Sequence, residues 1–278
     1  MNLIVCLKQI PSEESIKFDS NGNLIRENIK LINNIYDEYA LENALILKDK
    51  YGFKVTAITM GPTSAEEIIR YAISKGVDEG YLITDPKLKG SDAFITSMVI
   101  SKAIEKIKKE EDYAVFFGLK SGDGETGVVA SEVSRFLKIP VVCGVSEIDF
   151  FENCFFATQL LSFETVKLKI QKPCCLSFDL SKIKFRVVSI KNKIKSKNFI
   201  VPKFSLSDLN LEIDGIKDSP TKVLDLKEVQ TNSQRNFEEL KLENPEDIEK
   251  IKKIIYEYWK NNSRVSPTTR HVMQRRIA

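Results

Sequence analysis

Residues 113–140 leave the chain the least freedom in how it folds. They read Tyr113-Ala-Val-Phe-Phe117, then Gly118-Leu-Lys-Ser-Gly-Asp-Gly-Glu-Thr-Gly127, then Val128-Val-Ala-Ser-Glu-Val-Ser-Arg-Phe-Leu-Lys-Ile-Pro140. A short apolar run bounded by glycine suits a strand buried on both faces. The ten residues after it hold four of the chain's twelve glycines, so the backbone there can turn sharply or approach a ligand closely. Val129, Val133, Phe136 and Leu137 then recur at helical spacing, so a helix follows, with Thr126 as its expected cap. Strand, glycine loop and helix N-terminus aim backbone N–H groups at one point, which is how proteins hold phosphate. A βα turn without a ligand has the same composition, and the loop matches neither G-x-G-x-x-G nor the P-loop pattern, so at this point both readings stand.

The first half of the chain repeats the pattern. Asn2–Lys8 predicts a buried first strand ending at Gln9-Ile-Pro11, Phe53–Thr59 a central strand running into Met60-Gly-Pro62, and Tyr81–Thr84 a third strand. Phe18–Ile25 carries Asn21-Gly22 between apolar flanks, a hairpin signal. Helices are predicted over Ile35–Lys50 with Asn34 or Asp37 as cap, over Ser64–Lys75, and from a Ser91-Asp92 cap through Lys108. Strands alternating with helices over short connections predict a doubly wound, mostly parallel α/β sheet with helices on both faces, Rossmann-like in kind. Ligands of such sheets sit at the carboxyl ends of strands. Gln9-Ile-Pro11, Met60-Gly-Pro62 and the glycine loop are three such ends, and their convergence favours a nucleotide site.

From about residue 144 the pattern turns antiparallel. Phe150-Phe151 and Phe155-Phe156 flank a hairpin turn at Glu152-Asn-Cys154, Phe163–Ile170 alternates, and Lys172–Phe178 reads as one more central strand. Lys182–Lys197 then carries seven basic residues and no acidic one, interleaved with Phe185, Val187, Val188, Ile190 and Ile194. A solvated face is the usual meaning of such a run, but the interleaving points to a surface that docks on a partner. Residues 203–244 are polar and predict an extended arm, Pro245–Trp259 an amphipathic helix, and the tail after 260 a flexible end. The expected organisation is a nucleotide-binding domain over 1–183, a docking loop, arm and helix over 184–260, and the tail over 261–278.

Composition narrows the chemistry. A net charge of +3 gives no case for nucleic-acid binding. The five cysteines (Cys6, Cys143, Cys154, Cys174, Cys175) lack metal-ligand spacing, so no metal site is expected. Their odd number, with no signal-peptide-like or long apolar stretch, points to a reducing, cytoplasmic setting without membrane insertion. His271 is the only histidine, which removes histidine triads and Cys-His dyads. Any oxidation or group transfer must then rest on a bound cofactor, and no catalytic residue is assigned.

Four separated segments together resemble the beta subunit of the electron transfer flavoproteins. Val5-Cys-Leu-Lys-Gln-Ile-Pro11 is similar to that family's first strand with its Lys-Gln-Val-Pro-like ending. Asn34-Ile-Tyr-Asp-Glu-Tyr-Ala-Leu-Glu-Asn-Ala44 resembles Asn-Pro-Tyr-Asp-x-Tyr-Ala-Leu-Glu-x-Ala, with Ile35 in place of proline. Ile58-Thr-Met-Gly-Pro62 with Ile69–Asp78 matches the next strand end and helix. Gly118–Glu132 aligns without a gap to Gly-Arg-Gln-Ala-x-Asp-Gly-Asp-Thr-x-Gln-Val-Gly-Pro-Glu, with departures that include Leu119, Lys120, Val128, Ala130 and Ser131.

The resemblance implies nucleotide contacts at Cys6, Asn34, Ile35, Tyr36, Asp37, Met60, and the run Gly118, Leu119, Lys120, Ser121, Gly122, Asp123, Gly124, Glu125, Thr126, Gly127, Val128 and Val129. It implies FAD or AMP as the nucleotide. Ser181–Lys197 looks like the Ser-Lys-x-x-x-Arg-Phe-x-Ser-Ile-Arg-Gly-Lys stretch of electron-bifurcating members, and Tyr36-Asp37 and Ser219-Pro-Thr-Lys-Val223 lean the same way, which favours FAD. The implied partners are an alpha subunit and a dehydrogenase such as one for acyl-CoA, met by Arg186, Ser189, Ile190, Lys191 and Lys193. With bifurcation, NADH becomes the electron donor and ferredoxin or flavodoxin the low-potential acceptor. A stand-alone nucleotide-binding stress-type protein would share the sheet but has no use for residues 144–260. An ATP-using ligase of related fold would need a Ser-Gly-Gly-x-Asp-Ser loop where this chain reads Lys8-Gln-Ile-Pro-Ser12.

Overall fold

A computed structural model of the chain describes residues 1–12, 17–18, 24–25, 31–108, 112–161, 164–221, 240–241 and 243–262. Internal contacts divide the chain into units of Met1–Glu228 and Val229–Ala278. The larger unit opens with β1 (Asn2–Cys6), β2 (Gln9–Pro11), β3 (Lys17–Phe18), β4 (Leu24–Ile25), β5 (Leu31–Asn33) and α1 (Ile35–Tyr51). It continues with β6 (Lys54–Met60), α2 (Glu66–Lys75), β7 (Glu79–Ile83), α3 (Ala93–Ile107), β8 (Tyr113–Gly118) and α4 (Val129–Leu137). Then come β9 (Val141–Phe151), β10 (Cys154–Leu160), β11 (Thr165–Gln171), β12 (Cys174–Phe178), α5 (Ile190–Lys197), β13 (Lys203–Phe204) and α6 (Gly215–Asp218). The smaller unit contains α7 (Pro245–Asn262).

One nine-stranded sheet, in the order β11-β10-β9-β12-β8-β1-β6-β7-β13, carries the fold. Every pair from β9 across to β13 is parallel, and β10 runs antiparallel to both its neighbours, as the change of pattern after residue 144 predicts. The apolar runs are continuous because each central strand is covered twice. Leu3 and Val5 of β1 pack with Ala40 of α1 and Ile69 of α2 on one face, while Ile4 and Cys6 pack with Val99 of α3 and Val133 of α4 on the other. β8 divides in the same way, Ala114 and Phe116 to the first face, Tyr113, Val115 and Phe117 to the second.

The connections fix where a ligand can enter. From β1 the chain steps outward to β6 and β7, then returns to place β8 on the other side of β1. The segments leaving β1 and β8 therefore pass to opposite faces, and a crevice opens at their carboxyl ends.

Several local expectations are refined. The helix predicted from Ser64 starts with a tight 3₁₀ turn at Thr63–Ala65, and α2 begins at Glu66. The β9–β10 turn comprises Glu152 and Asn153, both with positive φ (47° and 64°), the backbone of a two-residue hairpin turn. β3 and β4 pair antiparallel around Asn21-Gly22, which lie outside the described residues, as do His271 and the tail from 263. The first part of the polar arm packs on the sheet: β13 extends it beside β7, and Leu206, Leu209 and Ile213 join the α3 face. Among the described residues, no helix is long and apolar enough to cross a membrane.

The antiparallel extension is tied to the parallel core by aromatic rings. Phe155 of β10 is fully buried and meets Phe116 at 6.1 Å and Phe150 at 5.1 Å between centroids. Phe155→Ala is expected to cost about 3–5 kcal/mol in urea denaturation. Phe151→Ala, at a ring 64% exposed, should stay within about 0.5 kcal/mol of the parent. Equal losses from the two would show that Phe155 does not carry this junction.

Candidate nucleotide site

The crevice holds a cavity of about 410 Å³, in the range of small-molecule sites. Its floor is the end of β1 with Cys6, Leu7 and Lys8, Met60-Gly61 after β6, and Phe117-Gly118 of β8. The glycine loop forms one wall. The segment from Leu88 to Thr96, which leads into α3, forms the other.

Asp37 joins the diverging strands. From the first turn of α1 its Oδ2 accepts the Lys8 N–H at 2.7 Å and its Oδ1 accepts the Gly118 N–H at 3.1 Å. Its expected capping role is thus corrected: the carboxylate bonds two distant strand ends and leaves its own helix uncapped. Burial pushes its pKa up to about 7, against the lowering pull of those N–H groups, the Asn34 side chain and the Lys8 charge. Gly118 is required by this contact, since a β-carbon there would collide with Asp37 Oδ1 and lie 2.7 Å from Tyr36 Cβ.

Asn34 also does something other than cap. It sits at the N-cap of α1 without a side-chain cap bond, and its Nδ2 donates to the Lys120 carbonyl at 2.9 Å across the mouth of the glycine loop. The residue is 1% exposed, and its Oδ1 has no hydrogen-bond donor among the described residues. A buried acceptor beside a cavity, lacking a donor, fits a ligand that brings an amine or hydroxyl.

The loop's charged side chains are largely matched to one another. Lys8 Nζ contacts Asp123 at 2.7 and 2.8 Å, and Lys120 Nζ contacts Glu125 at 2.8 Å while lying over the Tyr36 ring. Partial burial works against ionisation of Asp123, yet Lys8 holds its carboxyl below the usual range. The loop's capacity for an anion lies in its main chain. Gly127 takes φ +63°, and no backbone N–H from Thr126 to Ser131 has an acceptor among the described residues. Thr126 is not the cap of α4: Val128 occupies that position and offers no side-chain bond, so the helix end faces the cavity with its donors open.

Of the residues singled out from sequence, Cys6, Asn34, Asp37, Met60, Gly118, Leu119, Lys120, Ser121, Gly124, Thr126, Gly127 and Val129 line the cavity. Ile35, Tyr36, Gly122, Asp123, Glu125 and Val128 do not: Ile35 and Val128 face solvent, Gly122 packs on Ile10, and the others brace the loop. Sequence reasoning missed the wall from Leu88 to Thr96. Ser91-Asp92 was visible only as a helix cap, although it follows β7 and obeys the same strand-end rule. Asp92 is indeed the α3 cap, accepting the Ile95 N–H at 3.0 Å, and it also accepts the Thr221 N–H and hydroxyl. Burial pushes the Cys6 thiol well up, with Cys175 and Asp37 adding to the shift, so it stays protonated as an inert wall. Among the described residues, no cluster of three or more His, Cys, Asp or Glu can hold a metal. Of the docking candidates, Ser189 caps α5, Ile190, Lys191 and Lys193 are exposed on it, and Arg186 turns inward onto α1.

Asp37 makes stability depend on pH. Between about pH 4 and about pH 7 the native carboxyl keeps a proton that the unfolded chain has released, so stability falls as pH rises through that window. Asp37→Asn is expected to remove this fall, on the order of a few kcal/mol. It should also be less stable throughout, because an amide nitrogen cannot accept from a backbone N–H. Parallel curves of urea midpoint against pH for the two proteins would count against a buried, proton-holding Asp37.

Comparison with known proteins gives this geometry its context. A family model described as the electron transfer flavoprotein domain matches residues 22–198. The chain is 35% identical over 229 residues to the electron transfer flavoprotein subunit beta of Thermoanaerobacterium thermosaccharolyticum, covering 81% of this chain and 86% of the relative. It is 32% identical to the acryloyl-CoA reductase electron transfer subunit gamma of Anaerotignum propionicum (85% and 88% covered). It is likewise 32% identical to the caffeyl-CoA reductase-Etf complex subunit CarD of Acetobacterium woodii (80% and 86% covered). A doubly wound sheet, a glycine loop at its switch point and these likenesses together place the chain in the electron transfer flavoprotein beta-subunit family, whose role is electron transfer.

Proposed function

We propose that this chain is the beta subunit of a heterodimer with an electron transfer flavoprotein alpha subunit, and that its crevice holds an adenine nucleotide, FAD in preference to AMP. The observation that carries the reading is the array of open backbone donors from Thr126 to Ser131 at the N-terminus of α4. Such an array holds phosphate without a charged side chain. Asn34 Oδ1 offers an acceptor to the same ligand, and Cys6 and Met60 give it an apolar wall. When bound, FAD supplies hydride acceptance from NADH and release of electrons one at a time.

The chain itself contributes position and exclusion of water. In the bifurcating reading one electron would go to a low-potential acceptor such as ferredoxin or flavodoxin, and the other, through the alpha subunit, to a dehydrogenase of the acyl-CoA class. The names of two relatives, which couple an electron transfer subunit to acryloyl-CoA and caffeyl-CoA reductases, support a partner of that class. The five free cysteines suit a reducing, cytoplasmic setting. The alternative, a non-bifurcating subunit with structural AMP, uses the same donors.

Nucleotide content decides between them. The chain is purified with its alpha subunit, the complex is denatured, and FAD and AMP are quantified per heterodimer. Two FAD and no AMP, with flavin bleaching by NADH, is the expected outcome. One FAD with one AMP would remove bifurcation, and absence of any nucleotide would overturn the assignment of the crevice.

A further inference from the structure

The basic segment of residues 182–197 is fastened from within through Arg186. Glu42 lies in α1 and is 4% exposed. Its Oε1 accepts from Arg186 Nε at 2.8 Å and its Oε2 from the Arg186 backbone N–H at 3.2 Å. The far side of the guanidinium reaches Asp49 at 3.0 Å, and Lys75 Nζ donates to the Arg186 carbonyl at 2.9 Å. One residue earlier, the Phe185 ring meets Tyr39 edge-on with centroids 4.9 Å apart. One residue later the character inverts: Val187 is 94% exposed and Ile190 is 81% exposed. Between them Ser189 caps α5 by accepting the Asn192 N–H at 3.2 Å, and α5 packs on α2.

We infer that Glu42 is a positioning residue for partner docking: it clamps Arg186 inward so that Val187 and Ile190 are presented to the dehydrogenase at a fixed place. The inference rests on the proposed dehydrogenase partner and on the docking role that the family resemblance implies for residues 186–193. A stretch without regular structure between β12 and α5 would otherwise have to be ordered by the partner on binding, at a cost in affinity. The clamp orders it beforehand. It also explains why the segment's one arginine differs in role from its lysines. The guanidinium presents donors on two sides, Nε to the Glu42 carboxylate and a second nitrogen to Asp49, whereas the lysines are exposed to solvent. A buried carboxylate left without its cation is costly, so Arg186 is not available to reach a partner.

The test uses the purified heterodimer as electron acceptor for a purified short-chain acyl-CoA dehydrogenase with its acyl-CoA substrate, titrating the heterodimer. Glu42→Gln is expected to raise KM for the heterodimer roughly ten-fold, with kcat, nucleotide content and bleaching by dithionite unchanged. A purely structural residue would lower nucleotide content or kcat instead. Ile190→Asp serves as the marker of docking itself. If it leaves KM unchanged, the docking reading fails. If it raises KM while Glu42→Gln does not, the clamp is overturned and docking stands. Should Glu42→Gln give no folded heterodimer, Arg186→Lys keeps a cation beside Glu42 but loses the second donor side. An unchanged KM there overturns the clamp equally.

Discussion

The carboxylate of Asp37 closes the gap on which the rest of the site is built. β1 and β8 run parallel through Val5 and Phe116 and then part, because one continues toward α1 and the other toward α4. Parting strands leave backbone donors that no neighbouring strand can satisfy. Asp37 accepts one from each, Lys8 and Gly118, across 29 and 81 residues of sequence. Burial opposes a negative charge there, the two N–H groups favour it, and burial prevails, raising the pKa to about 7. The close fit of Gly118 against Asp37 and Tyr36 then sets where the glycine loop begins.

That loop is organised so that its side chains answer one another and its main chain faces inward. Lys8 with Asp123 and Lys120 with Glu125 form two ion pairs along it. Such half-exposed pairs contribute little to stability. Their effect is to hold the loop in one shape and to keep its own carboxylates occupied. Attraction for an anion is left to the helix end and its unpaired amides.

The parallel core was legible from sequence because double coverage turns strands into unbroken apolar runs, and the run at Tyr113–Phe117 is the clearest. The change to antiparallel strands after residue 144 was legible from alternation. Asn34 and Asp37 were misjudged as caps because capping is a local preference, whereas both side chains are committed to partners far away in the chain. The stretch after residue 203 was read as an arm because Leu206, Leu209 and Ile213 are isolated apolar residues in polar surroundings. Each nonetheless reaches the core where the chain bends around α3. Arg186 looked like one member of a charge run, and only its buried acidic neighbour, 144 positions earlier, distinguishes it.

A cradle made of amides has a consequence for how such a site ages. Leu119, Lys120, Val128 and Ala130 all depart from the family's usual residues, yet each of these positions still supplies a backbone N–H and carbonyl, and Ser131 adds an N–H where the family's proline has none. What must persist is the path of the chain, guarded by Gly118, Gly127 and the buried groups of Asn34 and Asp37. Side chains along the loop are free to wander while the donor array stays fixed. Substitutions can therefore retune the loop's outer surface for new neighbours without disturbing the crevice inside.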